Sequence, residues 1–82
     1  MKIGTWIKIL KDQADGAIVN IGDIGMIVDH PEHPNRDEYI ERGLLAVEFN
    51  TEKNICGAYG PKIAVFTPKN IRPLWTDDEL FE

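Results

Sequence analysis

Hydrophobic positions in this chain recur at short range and never sustain a helical period. In TWIKILK, residues 5–11, Ile7 and Ile9 alternate with Lys8 and polar neighbours until Leu10 breaks the pattern, which predicts a first strand. Residues 12–23, DQADGAIVNIGD, set Gly16 and Gly22 among Asp, Asn and apolar residues, and predict a long, partly packed loop ending in a turn at Gly22 and Asp23. IGMIVDH, residues 24–30, predicts a strand with Ile24, Met26 and Val28 on one face, and Gly25 marks a bend or a close backbone approach. LLAVEF, residues 44–49, is the clearest strand, with Leu45, Val47 and Phe49 on one face and Glu48 on the other. Asn50 to Asn54 supply its turn.

ICGAYG, residues 55–60, is a weaker strand candidate; Pro61 and Lys62 form a bend, and IAVF, residues 63–66, is a strong strand. TPKN, residues 67–70, predicts a single helical turn with Thr67 as N-cap and Pro68 at the first helical position, before a short last strand, IRPL. Between the second and third strands lies HPEHPNR, where Pro31 and Pro34 each remove a backbone donor and push His30 and His33 toward extended geometry. Residues 30–36 are therefore a loop, followed by a short helical turn over Asp37 to Arg42 closed by Gly43. Short strands at close spacing with one helical turn before the last predict an all-β fold: a small, strongly bent antiparallel barrel of about five strands.

The order of strand, long loop, GDIGMIVD, LLAVEF, IAVF and TPKNIRPL resembles the SH3-like barrel superfamily over about residues 3–75. Within it, IGDIGMIVD resembles the Gly-x-x-Gly-x-Val pattern of KOW-type modules and of the small barrel subunit of ferredoxin:thioredoxin reductase. The resemblance implies a non-enzymatic binding module, because such barrels act by gripping proteins, peptides or nucleic acid.

Eighty-two residues suit one domain, read as a barrel over 1–75 and an acidic C-terminal tail over 76–82. Net charge is −5, but four of the fourteen acids fall in the tail, which leaves ten acids against nine bases in the body. A second acidic concentration, Asp29, Glu32, Asp37, Glu38 and Glu41, has Arg36 as its only internal base. Binding driven by phosphate neutralisation calls for a basic surplus, and the chain lacks one. A single cysteine, Cys56, excludes an intramolecular disulfide and fits a reducing compartment. With no apolar leader and no run near the ~20 apolar residues of a membrane span, the expected location is cytoplasmic, with no membrane association.

Chemistry concentrates in residues 27–39. His30 and His33 stand three apart among carboxylates and are candidate metal ligands, but a structural zinc site needs four ligands and a capping loop accounts for the same residues. There is no phosphate loop, nucleophile elbow or His-Glu-x-x-His motif, and no serine, so no catalytic residue, no cofactor and no enzymatic activity are expected. Trp6 and Trp75 suit either barrel packing or stacking on a ligand, and Tyr39 and Tyr59 either exposed contacts or packing.

The expectation is a protein-interaction module, a small subunit, adaptor or inhibitor, meeting a partner with a basic surface; a phage-encoded inhibitor of a host protein is one version. Its candidate contacts are Asp29, Glu32, Asp37, Glu38, Tyr39 and Tyr59, with Asp77, Asp78, Glu79, Leu80 and Phe81 in the tail. The alternative is a KOW-like nucleic-acid or ribosome-associated module using Lys8, Lys11, Lys62, Lys69 and Arg72. An exposed strand edge leaves a homodimer open.

Overall fold

The computed structural model describes residues 2–10 and 18–74. Five strands run in chain order: β1 (Trp6–Ile9), β2 (Ile24–Val28), β3 (Leu45–Glu48), β4 (Ile63–Phe66) and β5 (Ile71–Pro73). A short helix, α1 (Arg36–Glu41), lies between β2 and β3, and a 3-10 turn (Pro68–Asn70) precedes β5. All strand pairs are antiparallel in one sheet of order β4-β3-β2-β1-β5, the all-β arrangement expected from the sequence.

Alternation sets the two faces. Ile7 and Ile9 of β1, Ile27 of β2, Val47 of β3, Ala64 and Phe66 of β4 and Ile71 of β5 are buried in one core cluster with Val19, Phe49 and Ile55. Residues from both edge strands thus share one core, which requires a strongly bent sheet. At Gly25 β2 closely approaches β3. A methyl group there would lie 2.6 Å from Val47 Cγ1 and 3.0 Å from the Glu48 carbonyl oxygen.

Ile24, Met26 and Val28 share a face as expected, but it is the outer one, opposite Ile27. On that face Ala46 and Val65, paired across β3 and β4, are also buried. Thr67 stands at the N-cap of the 3-10 turn without a side-chain hydrogen bond. Leu10 lies just past β1, and its amide donates to the Asn70 carbonyl at 2.8 Å.

The expected strand at 55–60 is not formed. Cys56 takes a left-handed φ of 54°, and Gly57 and Gly60 form an isolated bridge closed by the Gly60 amide on the Gly57 carbonyl at 3.1 Å. Left-handed backbone ends strand geometry, so the segment turns, with the Tyr59 amide donating to the Ile63 carbonyl at 3.1 Å.

Candidate functional site

The connector between β2 and β3 is fixed at both ends. At its far end α1 closes in a Schellman motif: Leu44 donates to the Tyr39 carbonyl at 3.1 Å and Gly43, at φ 75°, to the Ile40 carbonyl at 3.0 Å. At its near end His30 uses both ring nitrogens. Nε2 lies 3.0 Å from the Leu44 carbonyl oxygen, which only accepts, so Nε2 carries the proton. Nδ1 then accepts from the Tyr59 hydroxyl at 2.6 Å. Arg36 Nε donates to the His30 carbonyl at 2.9 Å, tying α1 back to the start of the connector.

Four rings complete the junction. Tyr59 meets His30, His33 and Tyr39 edge-on at centroid distances of 5.6, 5.3 and 5.5 Å, and His33 stacks on Tyr39 at 6.4 Å. Edge-to-face pairs of this kind each add about 0.5–1.5 kcal/mol beyond area burial. Burial raises the Tyr59 pKa above its ordinary value, and Tyr39 and Asp37 add to the shift while Arg36 opposes it. Tyr59 therefore remains a neutral hydroxyl donor to His30 through the physiological range.

On this frame Asp29, Glu32, Asp37, Glu38 and Glu41 are all exposed. The one ion pair among the described residues is Arg36 to Asp37 at 3.9 Å, with the Asp37 side chain 94% exposed. Within α1, Asp37, Ile40 and Glu41 fall on one face by helical spacing, and Ile40 is 44% exposed there. Tyr39 and Tyr59, expected as contacts or as packing, are half-buried in the ring cluster.

The candidate metal ligands His30 and His33 both pack against the Tyr59 ring. Both His30 nitrogens are taken, His33 Nδ1 accepts from the Asn35 amide at 3.1 Å, and no group of three or more His, Cys, Asp or Glu gathers among the described residues.

The basic residues divide. Lys8 and Arg72 are exposed and directly opposite across β1 and β5, while Lys69 lies on the 3-10 turn. Lys62 donates to the carbonyls of Thr51 and Lys53, so its ammonium clamps the β3–β4 turn. Lys11 and the contacts expected at 77–81 lie outside the described residues.

Three features had no signal in the sequence: the His30–Tyr59 bond, the Lys62 clamp and the position of the exposed apolar residues. Ile3, Trp6, Leu10, Ile18, Ile21 and Ile24 are all exposed and fall on β1, β2 or their flanks. Beside them a groove of about 270 Å³ runs between residues 18–24 and 49–55, floored by Phe49 and Ile55 and rimmed by Asn20, Asp23 and Lys53.

No helix among the described residues is long and apolar enough to cross a membrane. No protein-family model, curated protein or solved structure matches the chain.

Proposed function

We propose that this protein is a non-enzymatic, cytoplasmic protein-interaction module, a small subunit, adaptor or inhibitor, whose 29–41 connector meets a basic surface on a partner protein. The observation that carries the reading is Ile40, 44% exposed between acids on a helix held in place at both ends. Uncompensated carboxylates steer encounter with a basic surface, and an apolar side chain among them supplies the anchor that holds it. A connector already fixed by hydrogen bonds loses little conformational freedom on binding. The strand order with a 3-10 turn before β5 supports an SH3-like barrel, a scaffold consistent with binding rather than catalysis.

A photo-crosslinking residue at position 40 tests this in nuclease-treated lysate. One protein crosslinked at position 40 and not from a control at Lys69 supports the reading; no protein adduct, or the same adducts from both positions, contradicts it.

Lys8 and Arg72 side by side near exposed Trp6 favour the second reading, a KOW-like nucleic-acid module. It draws on fewer bases than the sequence suggested, because Lys62 is engaged within its own turn.

A further inference from the structure

Alternation and register place Trp6, Lys8, Ile24, Met26 and Arg72 together on the outer face of β1, β2 and β5. Trp6 pairs with Met26, and Lys8 sits between Ile24 and Arg72. Trp6 and Ile24 are 38% and 51% exposed. Like charges directly opposite each other weaken a strand pair, and neither Lys8 nor Arg72 has an ion-pair partner among the described residues. The face is apolar and basic across β1, β2 and β5, and Glu48, paired with Met26, sets one exposed carboxylate at its β3 side.

We propose that this face is the docking site for the chain's own residues 76–82, TDDELFE. The chemistry is complementary: three successive carboxylates, Asp77, Asp78 and Glu79, for Lys8 and Arg72, and then Leu80 and Phe81 for Trp6, Ile24 and Met26. The tether is short. Leu74 donates to the Trp6 carbonyl at 3.0 Å, so the chain leaves β5 beside Trp6. The eight residues beyond Leu74 reach up to about 27 Å when extended, whereas Lys8 lies about 7 Å from Trp6 along β1. A short link supplies a millimolar effective concentration, so a contact too weak to form between separate molecules is populated within one chain.

The test uses the full chain carrying Trp75→Phe, which leaves Trp6 as the only indole. Its emission and its quenching by acrylamide are compared with those of chains also carrying either Leu80→Ser with Phe81→Ser, or Asp77→Lys with Asp78→Lys and Glu79→Lys. Both sets of changes are expected to shift Trp6 emission to the red and increase its quenching. Adding Lys8→Glu and Arg72→Glu to the lysine-bearing chain is expected to restore the original values. Circular dichroism checks that every variant remains folded. Trp6 emission and quenching indifferent to both tail variants would overturn the proposal. Protection of Trp6 that grows with protein concentration would overturn it in favour of a second copy's segment. A single-stranded oligonucleotide that quenches Trp6 equally with and without the tail changes would overturn it in favour of nucleic acid.

Discussion

The Tyr59 hydroxyl donates to His30 Nδ1 at 2.6 Å across 29 residues of chain, and this bond joins the β3–β4 turn to the start of the acidic connector. His30 hands the constraint on to the Leu44 carbonyl, so the turn, the loop and the end of the helical segment are fixed relative to one another.

Tyr59→Phe keeps the ring contacts and removes the donor to His30. The expected loss is about 1 kcal/mol, read as a lower urea midpoint with an unchanged slope. Tyr59→Ala also removes the edge-on ring packing and is expected to cost about 3 kcal/mol or more.

Tyr59 makes one contribution to stability that weakens in alkali. Its pKa is raised, mainly by burial, so the folded state holds the phenolic proton more tightly than the unfolded chain does. Stability from this group is fully present below the unfolded tyrosine value of about 10, and falls as pH rises from there through the higher folded value. Tyrosinate absorbance of a Tyr39→Phe chain is expected to show Tyr59 titrating above the unfolded value. Urea midpoints should fall over the same interval, and Tyr59→Phe should remove that part of the fall.

Gly57 and Gly25 are expected to resist substitution for different reasons. A methyl group at Gly57 would lie 2.1 Å from the Ile63 carbonyl oxygen, a backbone atom that cannot rotate away. At Gly25 it would meet the Val47 side chain at 2.6 Å and the Glu48 carbonyl oxygen at 3.0 Å. Overpacking of this kind costs about 1–3 kcal/mol. Gly57→Ala is expected to lower the melting temperature at least as far as Gly25→Ala.

Cys56 works in the opposite direction. Its left-handed φ of 54° is unfavourable for cysteine, and the Asn54 side chain holds its amide at 2.8 Å. Asn adopts that conformation more readily, so Cys56→Asn is expected to stabilise the fold by about 0.5 kcal/mol, read by thermal denaturation.

The sequence revealed those parts of the fold that depend on local rules. The alternation of Leu45, Val47 and Phe49 identified β3 and its inner face, and Gly43 identified the end of α1. The stretch 55–60 misled because Ile55 before Cys56 and Gly57 resembles the start of an alternating strand. What decides its path is the left-handed turn at Cys56 and the packing of Gly57 against the Ile63 carbonyl, a contact with another segment. The acids at 29–41 were legible as residues, but their rigid presentation was not. It rests on His30 meeting Tyr59, and nothing in local spacing links a histidine before a proline to a tyrosine between glycines in a distant turn. Lys62 counted as a surface base for the same reason, since its carbonyl partners are visible only once the 51–53 turn has formed.

We propose that the acidic connector holds a protein partner. The most direct test is quantitative affinity capture from nuclease-treated lysate, comparing the intact chain with one carrying Asp29→Asn, Glu32→Gln, Asp37→Asn, Glu38→Gln and Ile40→Ser. A stoichiometric protein captured by the first, lost from the folded second and weakened by salt is the predicted result. Equal capture by both chains, or recovery that vanishes with nuclease, would contradict it.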